Sequence, residues 1–500
     1  MQAFMSTEKL KQRQLKIQEK RKKTEWRDFL MEIASWMPMS FHKVQGGGIS
    51  RFPVQERAGN TLSQKEYLNA SFDEWQRTWE FFNNFTDLFR KNPKIRVQQR
   101  FENENSSYAE CYWAKNCYLS FAIWQNAENI LYSTNSHTNI SNIVSSMWVV
   151  GNCQYIYQSK IVTESYMVFY ALNIHNSNNI WFSANLLWCS ECLFCTNLQN
   201  ASYCIENKQY SKEEYLQKKE KLLRQKNIFD NWYHKICLIS PKNILCENVT
   251  GSGMVSSSYI ENWYLTVQVN HARNLYIWWW KYGWSHFYDS FDVWNQTDEH
   301  LYATHYIWES SSHVYCVSWW AWITNCYYWY YLENCSFCLW CIWLKNKSYC
   351  IFNKQYTKDE RYDEVDKIFT QMEKDWQLWK FFPWSTNPFY FNDTAAYLID
   401  SSFTKEEVTA KWYLWRDEPI KVDIPAWMTV VKTSELDQYE WFDNEWNWII
   451  NADILKVVIQ DEQHNYYRII QMEYDFLVKH GLPLPRKHWL ERMKDNFKIA

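Results

Sequence analysis

Glycine is the residue this chain lacks most. Its 500 residues hold 9 Gly against 33 Trp, whereas usage near 7% would give roughly 35 glycines. Few glycines leave few places where the backbone takes positive φ without steric cost. Many Trp stand where a turn wants Gly, as in Trp278-Trp279-Trp280, Trp319-Trp320-Ala321-Trp322 and Asn444-Glu445-Trp446-Asn447. The pattern fits a gene whose UGA codons mean Gly but were translated as Trp. The other reading is a genuine aromatic surface of the kind that stacks on sugars.

Charge of one sign is also missing. With 53 basic and 56 acidic residues the net charge is −3, so there is no global attraction to nucleic acid or anionic membrane. No apolar run is long and clean enough to span a bilayer; the nearest, 316–332, is interrupted by Ser, Thr and Asn. The N-terminus carries charges without the apolar segment of a signal peptide. The expected location is the cytoplasm, with no membrane partner. There the 15 cysteines are read as thiols or metal ligands before disulfides. The phosphate-cradling Gly-x4-Gly-Lys-Ser/Thr, Gly-x-Gly-x2-Gly, His-Glu-x2-His and Gly-x-Ser-x-Gly motifs do not occur, which removes the common nucleotide, metalloprotease and hydrolase signatures. No catalytic or cofactor-binding residue stands out, and the His are scattered.

What is present is organisation. Residues 1–62 read as a basic helical and loop segment, with Lys9, Lys11, Arg13, Lys16, Lys20, Arg21, Lys22 and Lys23 as a contact for RNA or a protein. Residues 63–98 read as an amphipathic helix. Ser71 and Glu74 have capping-box spacing, and Trp75, Trp79, Phe82, Phe85 and Phe89 mark one face up to Arg90. Pro93 stops it.

From residue 99 short Tyr/Ile/Val-rich segments alternate with Asn, Ser and Thr about every 12 residues. Cys117, Cys153 and Cys189 keep this phase, and so do Cys192 with Cys204 and Cys326 with Cys338 and Cys350. A fixed short period predicts a parallel β-solenoid in which same-phase residues stack. The coil length, 12 or 24 residues, stays open at this point.

The unit closes twice. Cys189, Cys192, Cys195 and Cys204 run into Asn207-Lys-Gln-Tyr210. Cys335, Cys338, Cys341 and Cys350 run into Asn353-Lys-Gln-Tyr356, 146 residues later, with 17 of 26 aligned positions identical. Ser211 with Glu214 and Thr357 with Glu360 are capping boxes, so a helix follows each copy, to about Lys226 and Lys374. The eight cysteines would suit zinc by type, but three in a row at i, i+3, i+6 fit a tetrahedral site poorly. Stacked buried thiols are the favoured reading, with no cofactor required.

The fold class is therefore β-rich α+β: two solenoid blocks, 99–206 and 229–352, each closed by a cap helix, 207–228 and 353–380. A small α+β region, 381–457, and a degenerate ribbon-like module, 458–500, follow.

These residues resemble a Cys-rich repeat family of candidate-phyla bacteria, whose closure reads approximately Asn-Cys-x2-Cys-x-Gly-Cys-x-Gly-Leu-x-Asn-Lys and then Tyr-Cys-Ile-x-Asn-Lys-Gln-Tyr. Trp340 and Trp343 stand at its two Gly places, and Trp412, Trp427 and Trp446 at later ones. The resemblance covers about residues 70–500 and implies a lineage that uses UGA for Gly. Relatives often carry terminal Cys pairs where this chain has Gln460 and Gln463, so no terminal metal is expected. The function expected is a non-enzymatic scaffold that binds a macromolecule. Its rival is a carbohydrate-binding or carbohydrate-active β-helix. A coenzyme-A-transferase activity attaches to some relatives, but no residue here supports it.

Overall fold

In the computed structural model, the described residues are 26–95 in part, 103–225 apart from 107 and 108, short strands within 277–317, and 323–497 apart from 379, 381, 418–423 and 445–447. The chain forms two compact units, each built from two stretches. One comprises Met1–Arg96 and Lys242–Asp417, the other Val97–Pro241 and Glu418–Ala500. The two duplicated blocks thus belong to different units.

The second unit contains a parallel β-solenoid of about eight turns, spanning 111–205. Consecutive four-residue strands alternate between two faces and pair with the strand one coil away, as Gln154 does with Tyr166 and Tyr166 with Asn178. A coil is therefore 12 residues. One residue in three has φ near +50°, for example Tyr155, Gln158, Ile161, Glu164, Met167 and Tyr170, which gives four bends per coil. The residue at each step between bends points inward: Ile156, Val162, Val168, Ile174, Ile180 and Leu186 fill the core with Ala and Cys. Asn is frequent at the bends because it tolerates left-handed φ. Stacked amides hydrogen-bond along the axis there, as in Asn116–Asn129–Asn142 and Asn173–Asn185–Asn197.

The period is not uniform. Between about 114 and 162 the register pairs are 13 apart, as in Ala127 with Ile140 and Val149 with Val162. The extra residue sits at one corner, where Gln125-Asn126, Thr138-Asn139 and Gly151-Asn152 each supply two consecutive positive-φ residues. Gly151 takes φ of 68° there, and a Cβ would displace the Glu164 carboxylate, whose Oε1 would lie 2.1 Å away. This shifts the expected phase of the cysteines. Cys117 pairs through Ile130, Ile143, Ile156, Val168 and Ile180 to Cys192. Cys153 shares the column of Cys189 instead.

The C-terminal stretch of this unit folds on the solenoid. The helix Gln471–His480 stacks Phe476 on Tyr157, and Trp489, opening the helix Trp489–Phe497, stacks on Tyr132. Arg492 and Glu473 form a buried ion pair at 2.7 Å, and Arg492 Nη1 also donates to Ser145 Oγ at 2.9 Å.

In the first unit the second block shows parallel pairing at 277–317 and a regular 12-residue ladder from Thr324 to Ile351. The helix expected over Ser71–Arg90 spans only Phe81–Lys91. Glu74 is not helical, and Trp79 lies in a bend outside the helix with an exposed ring; Ser71 and Trp75 lie outside the described residues. Tertiary packing sets the length: Phe82 and Phe85 meet Trp340, and Phe89 meets Tyr330, in one aromatic cluster with Phe382. No helix among the described residues is long and apolar enough to cross a membrane.

Candidate functional site

The duplicated closures concentrate the unusual residues. Cys189, Cys192 and Cys195 are successive inward positions of one coil, and Cys204 lies next to Cys192 in the register of the following coil. In the second block Cys335, Cys338 and Cys341 repeat this, with Cys350 one coil on and Cys326 one coil back. The structure thus brings together both sets read from sequence and adds Cys326.

Each thiol has a defined task. Sγ donates to the carbonyl two residues earlier in Cys189, Cys192, Cys195, Cys204, Cys335, Cys338, Cys341 and Cys350. Sγ of Cys153, Cys326 and Cys341 also accepts the backbone N–H 12 residues on, at 3.4 Å. Ser133, Ser146 and Ser159 do the same with Oγ for the N–H one coil on, 13, 13 and 12 residues later. The bends aim these N–H groups into the buried core, where a donor must be satisfied. Ser and Cys are the small side chains that both donate and accept.

Contact with the Cys192 thiol draws Cys189 down to about 6 and pushes Cys192 far above the ordinary thiol range. Neighbouring thiols, Cys326 first, likewise raise Cys338. The neighbouring thiols thus favour the protonated form of the central thiol in each cluster. Among the described residues, no group of three or more His, Cys, Asp or Glu is arranged to hold a metal ion.

The Asn-Lys-Gln-Tyr segment ends each stack by reversing the chain. Glu206 and Asn207 have φ of 51° and 63°, and Phe352 and Asn353 have 47° and 65°, the signature of a two-residue type I′ hairpin. Lys208-Gln209 then runs antiparallel to Cys204-Ile205, and Lys354-Gln355 antiparallel to Cys350-Ile351. A reversed strand cannot template another parallel coil. The Asn side chains cover the neighbouring edge: Asn207 accepts from Thr196 N at 2.8 Å and donates to Thr196 O at 2.9 Å, and Asn353 accepts from Ile342 N at 2.9 Å. An amide here mimics the next strand and blunts the edge.

The helices follow as expected from their capping boxes. Ser211 and Glu214 exchange both backbone bonds, as do Thr357 and Glu360. The helices span Lys212–Leu223 and Lys358–Lys374, the first ending three residues short of Lys226. The copies differ where helix meets coil. In the first, Glu191 pairs with Lys219 at 3.1 Å. In the second, the equivalent residues are Phe337 and Val365, and the buried Arg361 lies over the Phe337 ring. The substitutions match across each interface, so each cap fits its own stack.

In the C-terminal module, Gln460 and Gln463 flank Asp461. Its carboxylate accepts from the backbone N–H of Gln463, Asn465 and His488, so a side chain organises this turn. The basic residues Lys9 to Lys23 lie outside the described residues. Sequence reasoning gave no weight to Thr163, Asn173 and His175, which the coil register unites on the outer surface; their spacing by about one coil was the only signal. No family model, curated protein or solved structure matches the chain.

Proposed function

We propose that the chain is a cytoplasmic scaffold of the Cys-rich repeat family it resembles. The observation that carries the reading is the pair of dedicated closures. A hairpin, an edge-covering Asn and a matched helix end each stack, which suits a finite rigid platform that must not polymerise. Reduced thiols support the cytoplasm: each of the twelve cysteines with described side chains is free and buried. The partner proposed is RNA, held by Lys9 to Lys23. The test is retardation of a single-stranded RNA by the full chain across a salt series. Exchanging Lys20, Arg21, Lys22 and Lys23 for Ala should weaken binding and flatten the log–log salt slope by about 3. No retardation, or an unchanged slope, would remove RNA as the partner.

Recoded glycine is part of the same proposal. Trp376 has φ of 55° directly after the cap residue of its helix and is 83% exposed. Trp412 has φ of 64° after another helix and is 66% exposed. Gly481, with φ of 62°, ends its helix in the same left-handed conformation, which is where Gly is favoured. Trp376→Gly should raise stability by about 1 kcal/mol, because relief of left-handed strain exceeds the added chain entropy. Trp427→Gly, at an exposed turn position without positive φ, should not. Thermal denaturation of the two variants checks this; equal effects would argue for genuine Trp. Genuine Trp would favour the carbohydrate reading, since Trp384 and Trp412 stack at 5.5 Å on an accessible surface.

A further inference from the structure

The outer surface of the solenoid carries a relay that the scaffold reading does not use. Thr163 and His175 are register partners on adjacent strands. Thr163 Oγ1 lies 2.6 Å from His175 Nδ1, and His175 Nε2 lies 2.7 Å from Asn173 Oδ1. The asparagine ladder orients Asn173. Its Nδ2 donates to Asn185 Oδ1, and Asn185 Nδ2 donates to Asn197 Oδ1, both at 3.0 Å. Asn173 Oδ1 can only accept, so the imidazole proton sits on Nε2. Nδ1 is then a bare lone pair, and the Thr163 hydroxyl donates to it. Burial holds His175 down at about 4, so the ring is neutral at neutral pH. All three residues are half-buried.

A hydroxyl bonded to an imidazole that a third group orients is the arrangement of an activated nucleophile. We propose that Thr163, His175 and Asn173 form an acyl-transfer site for small carboxylic esters. Thr163 Oγ1 is the nucleophile, His175 the base and Asn173 the positioning residue. Oγ1 attacks the ester carbonyl carbon as its proton passes to Nδ1. The bond from that carbon to the alcohol oxygen breaks, and the alcohol leaves with the proton. Water then adds to the acyl-threonine through the same base, which frees the acid and restores the hydroxyl.

A base with so low a pKa makes turnover slow, so covalent capture is the appropriate readout. The full-length protein is treated with a fluorophosphonate probe, and the labelled peptide is identified by mass spectrometry. The expected result is one adduct at Thr163, retained in Thr163→Ser. Thr163→Val should abolish the adduct, and His175→Gln should lower its rate by about a hundredfold, both checked for unchanged circular dichroism. An unlabelled wild-type protein, or a label that persists in Thr163→Val, would overturn the proposal.

Discussion

Replacing Arg492 with Ala should loosen the C-terminal helices from the solenoid at a cost of about 3–5 kcal/mol. Arg492 and Glu473 are almost fully buried. Their only mutual bond runs from Nη1 to Oε1, and Nε, Nη2 and Oε2 meet no hydrogen-bond partner. Removing the cation strands a buried carboxylate beside the Tyr132 side chain. That carboxylate must either protonate or draw in water. The loss should appear in hydrogen exchange as deprotection of residues 471–497, with the coils around Ile180 retained. The double variant Arg492→Met with Glu473→Leu removes both charges, so it should recover most of the loss. If it is as unstable as the single variant, packing and not charge compensation holds these helices.

Ser159→Val should cost about 1–3 kcal/mol, the penalty for a buried donor left without an acceptor. Ser159 Oγ donates to Tyr157 O at 2.9 Å and accepts from Ala171 N at 3.1 Å in the centre of the stack. Valine fills the space but offers no lone pair. Ser159→Cys should stay within about 1 kcal/mol of wild type, because Cys326 makes the same pair of bonds, donating to Thr324 O and accepting from Cys338 N. Urea denaturation followed by exchange of coil amides separates the variants. Equal loss in both would mean that volume, not hydrogen bonding, selects these residues.

The solenoid was legible because its period is short and its inward residues are few in kind. Ile, Val, Ser and Cys recur because the core is filled mainly by small or branched aliphatic groups and the bends need an internal acceptor. Coil length became decidable only from strand register, as in Gln154 with Tyr166. The 13-residue coils leave no mark in the sequence because the added corner residue, as at Thr138-Asn139, changes no inward position and keeps the local Asn-rich composition. They are why the 36-residue spacing of Cys117 and Cys153 does not mean a shared column. The closures were recognisable as caps from their capping boxes. Their hairpins were not, since Glu206-Asn207 and Phe352-Asn353 lack the usual Asn-Gly signal. Docking through Arg492 and Glu473, like the Thr163–His175–Asn173 relay, unites residues that no local pattern links.

The central claim is that the closure thiols belong to the internal hydrogen-bond ladder. Its most direct test exchanges Cys189, Cys192, Cys195 and Cys204 for Ser together and follows unfolding beside elemental analysis of the wild-type chain, purified without chelators. The account predicts a folded variant whose exchange protection around residues 189–204 is retained, and wild-type protein without stoichiometric zinc or iron. A bound metal near one per cluster, lost together with the fold of 189–204 in the variant, would contradict it.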